Sequence, residues 1–252
     1  MIKSEPILAF SRFAGFVLNI VLPLQDPFET KETRWQSVRF LAEPQCACCG
    51  FPFEYDVGED ALCANCIATS PKYNSARAAM IYDDASRPFI LSFKHGGKTE
   101  NLSRFAAQLR RAGGDMLSSA DYLVPVPLHN SRRFKRRFNQ SVLLGRALSK
   151  ITKVPLAPNV LRRVKATASQ GGQSAAGRRR NVQGAFAVTD TGKGVIKGCH
   201  IVLIDDVMTT GATVEACALQ LLRTGAKRVD VLCLARVIRP TIEQTERANG
   251  QS

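Results

Sequence analysis

Residues 201–213 read Ile-Val-Leu-Ile-Asp-Asp-Val-Met-Thr-Thr-Gly-Ala-Thr. The apolar run Ile201 to Ile204 is the pattern of a central parallel strand buried on both faces. Two adjacent acids follow, then small, hydroxylated and glycine-bearing residues. After them Val214, Ala218, Leu221 and Leu222 recur at the i, i+4, i+7 and i+8 spacing of a helix face. Gly225 stands where a helix C-cap belongs, and Val229 to Ala235 reads as the next strand. The predicted unit is strand, loop, helix, strand, with the loop running from Asp205 to Thr213.

Open α/β sheets bind ligands beyond the carboxyl ends of their strands. The N–H groups and dipole at a helix N-terminus favour a phosphate there. Thr209, Thr210 and Thr213 can add hydroxyl donors, while Gly211 and Ala212 leave room for the backbone to close in. Asp205 and Asp206 cannot hold that phosphate; they suit sugar hydroxyls, or a metal shared with the ligand. In the bland alternative, Thr210 or Thr213 caps a helix and both acids are solvated. The whole string after Ile-Val-Leu-Ile argues against that. It resembles the phosphoribosyl-pyrophosphate motif of the type I phosphoribosyltransferases.

Other segments extend the likeness. They are VPVPLHNSRRFKRRFNQ (124–140), RRVKATASQ (162–170) and RRRNVQGAF (178–186), with FKHGGK (93–98) and a four-cysteine element upstream. Together they resemble the ComF/GntX family over roughly residues 45–237. That resemblance implies an α/β, type I phosphoribosyltransferase fold, an open and mostly parallel sheet with flanking helices, plus a small N-terminal zinc-binding module. It implies that Asp205 and Asp206 bind the ribose 2′- and 3′-hydroxyls, that Thr209 to Thr213 bind the 5′-phosphate, and that the turn from Pro125 through Val126 and Pro127 to His129 is the pyrophosphate loop. The expected activity is transfer of the phosphoribosyl group to a nitrogenous acceptor, with Mg²⁺ accompanying the ligand. Some members are tied to competence and DNA uptake, which gives a second reading as a non-catalytic ligand- or DNA-binding protein. The chain departs from the family in one place: arginine, at Arg137, stands where the family usually has glycine before Phe138-Asn139-Gln140.

Cys46-x2-Cys49 and Cys63-x2-Cys66 have 13 residues between them, a spacing suited to one tetrahedral structural zinc. Four thiolates leave no open coordination position, so no catalytic role is expected for this metal. Cys48 is an extra thiol that could replace a neighbour. Five of the eight cysteines fall between Cys46 and Cys66, unlike a secreted disulfide framework, so a reducing, cytoplasmic setting is expected.

Arg132, Arg133, Lys135, Arg136 and Arg137 interleave with Phe134 and Phe138. Three readings stay open: a clamp for pyrophosphate, a track for single-stranded DNA, or a solvated basic turn. Residues 165–182 are polar and small and resemble the lid of these transferases; Lys165, Gln170 and Arg178 are its candidate contacts, and a passive connector is the alternative. His95 is expected in a surface turn, His129 in the pyrophosphate loop, and His200, Cys199, Cys217 and Cys233 as packing residues.

Formal charge is 35 − 21 = +14, which favours anionic partners without choosing among them. Residues 7–24 are apolar, but Arg12 and Asn19 interrupt the run, so a docked amphipathic helix is expected rather than a signal peptide or membrane span. Four sections result: 1–44, helix and connector; 45–72, zinc module; 73–239, phosphoribosyltransferase-like domain; 240–252, polar tail. The acceptor base and the oligomeric state, a dimer included, are left open by the sequence.

Overall fold

A computed structural model describes residues 31–96, 99–128, 138–165, 177, 180 and 182–238. The chain forms two units, residues 1–38 and 39–252. The described part of the first is α1 (Lys31–Gln36), followed by turns in which Ser37 N–H donates to the Arg34 carbonyl and Val38 N–H to that of Trp35. The apolar stretch 7–24 and the tail 240–252 lie outside the described residues.

The second unit is built on a parallel sheet. Its strands are β1 (Ala76–Ile81), β2 (Tyr122–Pro125), β5 (His200–Met208) and β6 (Arg228–Arg236), in the spatial order β1-β6-β5-β2. A separate antiparallel pair joins β3 (Leu161–Arg163) to β4 (Phe186–Val188). The helices are α2 (Ala64–Ala68), α3 (Arg87–Gly96), α4 (Leu102–Ser118), α5 (Gln140–Thr152), α6 (Asp190–Ile196) and α7 (Ala212–Arg223). The expected open parallel sheet with flanking helices is present. Ile201 to Ile204 and Val231 to Ala235 are fully buried, which is why both central strands are apolar without alternation. α4 and α5 pack on each other and on the sheet, while α7 packs on β5, β6 and β4. Inside α4, Gly114 leaves helical geometry (φ 28°, ψ −118°), so the element is two helical segments joined at a kink.

One expected boundary moves. β5 does not end at Ile204 but continues through Met208, so the loop begins at Thr209. Pairing overrides local preference here: Asp205 lies opposite Cys233, Val207 opposite Ala235 and Met208 opposite Arg236. The two acids are therefore successive residues of the strand's last paired stretch.

β1 is an edge strand, and neighbouring chain covers it. Leu41 N–H donates to the Ala79 carbonyl at 3.0 Å, Ile81 N–H to that of Arg39 at 2.9 Å, and Ala76 N–H to that of Cys48 at 2.7 Å. These bonds occupy groups that would otherwise be open to strand addition.

At the amino ends of the strands, Asp230 is wholly buried. Its Oδ1 accepts from Asn74 Nδ2, Ser75 N–H and Ser75 Oγ, each at 2.9 Å. Its Oδ2 faces His200 Nε2 at 2.7 Å and Arg228 Nε at 2.8 Å. His200 is thus buried, as expected, but in a polar network. Ser119, His200 and Asp230 align in the order of a hydrolase triad. The Ser119 carbonyl, at 2.9 Å from His200 Nδ1, lies nearer than the Ser119 hydroxyl at 3.3 Å, so the ring pins α4 to the sheet instead. Burial works to raise the Asp230 carboxyl, but the Asn74, Ser75 and His200 hydrogen bonds, with Arg228, hold it below the usual value. A folded-state value below the unfolded one, ~3.9, stabilises above that pH and loses its effect as pH falls through the lower value. Asp230→Ala should therefore cost about 3 kcal/mol at pH 7, because it strands buried donors. Urea unfolding checks this, and the gap to the unsubstituted protein should shrink in acid; a gap that stays constant down to pH 2 contradicts it.

Candidate functional site

The site forms where β5 ends. Asp205 Oδ1 accepts from Ser141 Oγ at 3.2 Å and from the N–H of Asp206 at 2.9 Å. Asp206 Oδ2 meets the Lys94 ammonium at 3.1 Å. Burial, then the neighbouring Asp206 charge, push the Asp205 carboxyl up to about 7, against the Asp206 N–H, Lys94 and Ser141, which act to lower it. Among the described residues, one ammonium, that of Lys94, stands against these two neighbouring carboxylates.

Thr209 is exposed, and Thr210 and Thr213 are partly so. Gly211 is the N-cap of α7 with φ 76°, a left-handed conformation that glycine adopts without strain. A Cβ there would stand 3.7 Å from the Tyr73 hydroxyl, so space is not what demands glycine; the backbone angle is. Gly211→Ala should cost about 1–2 kcal/mol, readable by chemical denaturation. No change in stability would mean that the turn relaxes freely.

The third component comes from β2. Pro125 pairs with Ile204, and Val126 N–H donates to the Ile204 carbonyl at 2.9 Å. Residues 125–127 thus leave the sheet beside the acids. Asn139 closes the base of this connection. Its Nδ2 donates to the Val126 carbonyl at 3.0 Å while its Oδ1 caps α5 by accepting from Ser141 N–H at 3.0 Å. Gln140, almost wholly buried, donates from Nε2 to the Lys94 carbonyl at 3.0 Å.

The cysteines form a second centre. The sulfurs of Cys46, Cys49, Cys63 and Cys66 all lie within 4.8 Å of one another. Sulfurs at ~2.3 Å from one tetrahedral zinc sit about 3.8 Å apart, so the set fits such an ion. Cys46 Sγ accepts from Cys49 N–H at 3.4 Å and from Cys63 N–H at 3.3 Å. The Cys63 thiol, 3.6 Å away, holds the Cys49 thiol far below its usual range; burial opposes this and the Arg236 guanidinium adds to it. Cys48 is not in the converging set. The centre is fastened to the sheet. Arg236 of β6 donates to the Cys49 carbonyl, and Arg77 of β1 donates to the carbonyls of Cys46 and Ala47 at 3.4 and 3.2 Å. Gly50 (φ 65°) lies so close to β1 that a Cβ would meet the Ala76 carbonyl oxygen at 2.4 Å.

The family described as "Phosphoribosyl transferase domain" matches residues 139–248. DNA utilization protein YhgH of Escherichia coli (strain K12) is 34% identical over 200 residues, covering 77% of this chain and 84% of that protein. Competence protein F of Haemophilus influenzae is 30% identical over 198 residues, 77% and 85% of the two chains. The chain belongs to the ComF/GntX family. A more distant member, competence protein ComFC of Bacillus subtilis, is 27% identical over 187 residues, 71% of this chain and 72% of that one. Among solved structures, adenine phosphoribosyltransferase from Thermoanaerobacter pseudethanolicus aligns at 15% identity over 56% of this chain and 83% of that one, with a TM-score of 0.36.

Of the residues expected from the family resemblance, Asp205, Asp206, Thr209 to Thr213 and Pro125 to Pro127 come together at the carboxyl ends of adjacent strands β5 and β2. Lys165 sits apart, just beyond β3, with its ammonium beside Gly184. Arg132, Arg133, the rest of the basic cluster before Phe138, His129, Gln170 and Arg178 lie outside the described residues. Reasoning from sequence missed Lys94, Ser141, Gln140 and Asn139. The segments FKHGGK and FNQ carry Lys94, Asn139 and Gln140, with Ser141 next in the chain, but nothing local in the sequence distinguishes them from His95 or the nearby arginines. Among the described residues, no helix is long and apolar enough to cross a membrane.

Proposed function

We propose that this chain binds 5-phosphoribosyl-1-pyrophosphate at the end of β5 and transfers its phosphoribosyl group to a nitrogenous acceptor. The observation that carries the reading is the convergence of three features: an adjacent acid pair with one carboxyl raised, a glycine-started helix α7, and the β2 connection at Pro125 to Pro127. Asp206, and Asp205 behind it, hold the ribose hydroxyls. Backbone amides and hydroxyls of Thr209 to Thr213 hold the 5′-phosphate. Residues 125–127, Arg132, Arg133 and Lys165 are assigned to the pyrophosphate, although Lys165 stands apart from the acids, beyond β3. The acceptor nitrogen forms the bond to C1′ as the C1′–oxygen bond breaks, and its electron pair leaves on pyrophosphate. Mg²⁺ bound with the ligand would neutralise charge on that leaving group. The protein positions and neutralises, and needs no covalent nucleophile. The four cysteines hold a structural zinc. In this reading the chain works in the cytoplasm.

The test is release of pyrophosphate from phosphoribosyl pyrophosphate in the presence of candidate bases. Turnover should appear with one class of base and vanish in an Asp205→Asn/Asp206→Asn double variant. Normal turnover by that variant would exclude the site.

The names of the relatives, DNA utilization protein and competence protein, favour a second reading in which the same site senses a ligand while the chain handles DNA. The net charge of +14 is compatible with it. Binding to single-stranded DNA that weakens steeply with salt supports this reading. Unchanged binding after neutralising residues 132–137 counts against it.

A further inference from the structure

We infer that Lys94 is a charge-exchange residue of this site: it neutralises Asp206 while the site is empty, then turns to an anionic group on C1′ once a ribose diol takes that carboxylate. It would thus select pyrophosphate-bearing sugars over ribose 5-phosphate. The inference rests on the phosphoribosyl reading above and names a determinant of its specificity.

Lys94 comes from the last turn of α3, far in sequence from Asp206, yet its ammonium lies 3.1 Å from Asp206 Oδ2. The two side chains are 17% and 16% exposed. The pair is therefore neither a solvated surface contact, which contributes little, nor sealed from a ligand. A diol that donates to Asp206 takes up acceptor lone pairs but brings no charge. The ammonium displaced by it stays partly shielded from water and needs a new anion.

The backbone of Lys94 is anchored beside the β2–α5 connection. Its carbonyl is held by Gln140 Nε2 at 3.0 Å, and Gln140 follows Asn139, which binds the Val126 carbonyl at 3.0 Å. Lys94 is thus tethered at the foot of the β2–α5 connection, the pyrophosphate side of the proposed site. The Thr209 to Thr213 cradle belongs to the β5–α7 connection. A lysine pivots on a flexible four-carbon stem, so a swing from Asp206 toward this connection needs no movement of α3. Pyrophosphate on C1′ presents the required charge. The C1′ hydroxyl of ribose 5-phosphate does not.

Calorimetric titration with both ligands at fixed pH and Mg²⁺ reads the effect. Lys94→Gln should weaken binding of phosphoribosyl pyrophosphate tenfold or more while leaving ribose 5-phosphate unchanged or tighter. Lys94→Arg should restore most of the difference. Gln140→Ala keeps the charge but frees the tether, and should shift the ratio in the same direction by a smaller factor. If Lys94→Gln does not fold, as judged by its melting temperature, Gln140→Ala and Lys94→Arg carry the comparison. Equal weakening of both ligands, or no change in either, overturns the inference. Failure of the unsubstituted protein to bind either ligand overturns the phosphoribosyl reading instead, so the two failures are distinct.

Discussion

Asp205→Asn is expected to stabilise the ligand-free protein at pH 8 and to weaken ligand binding by at least two orders of magnitude. Both effects have one cause. The carboxyl is buried beside Asp206, and its folded value is pushed up to about 7. The unfolded value is ~3.9. A raised acid holds its proton in the folded state while the unfolded chain has lost it, so stability falls as pH rises from ~4 to ~7 and stays low above that. The amide removes this penalty. The gain should be on the order of 2–4 kcal/mol at pH 8 and small near pH 4. Binding moves the other way, because the amide lacks the charge that strengthens hydrogen bonds from a diol. Melting curves at the two pH values, with titrations alongside, measure both. A variant less stable than the unsubstituted protein at pH 8 would mean that the Ser141 and Asp206 N–H hydrogen bonds outweigh burial.

Stripping the metal from the four-cysteine centre is expected to lower the melting temperature by roughly 10 °C or more, the shift that several kcal/mol produces in a chain of this size. The effect should reach the sheet. Without the metal, the Cys46 and Cys49 carbonyls that Arg77 and Arg236 hold are no longer fixed, and the cover over the start of β1 loosens. Arg236 is buried, so its loss of a partner is costly. Cys46→Ser should reproduce the effect, whereas Cys48→Ser should keep a full equivalent of zinc by elemental analysis, because Cys48 stands outside the converging sulfurs. An unchanged melting temperature after chelation, or metal loss in Cys48→Ser, would contradict this assignment.

What the sequence made legible was local and periodic. Ile201 to Ile204 announced a strand because both its faces are buried, and Val214 to Leu222 announced α7 because one of its faces is. The cysteine pairs announced their centre because metal geometry restricts ligand spacing. What stayed hidden depends on tertiary neighbours. β5 runs through Asp205 to Met208 only because β6 lies beside it, and no window of residues 201–213 contains that fact. Lys94 reaches Asp206 across a long span of chain, so the FKHGGK segment gave no hint of which side chain would face the acids. Asp230 sits within a run of strand-forming apolar residues and is tolerated only because five donors from four different residues surround it. The strands β3 and β4, three residues each, are too short to show a period.

The proposed grip on a sugar phosphate at the end of β5 is tested most directly by isothermal titration of the unsubstituted protein and the Asp205→Asn/Asp206→Asn double variant with phosphoribosyl pyrophosphate and Mg²⁺. Saturable one-to-one binding by the first, with no measurable heat from the second, is the predicted result. No binding by the unsubstituted protein, or equal binding by both, would contradict it.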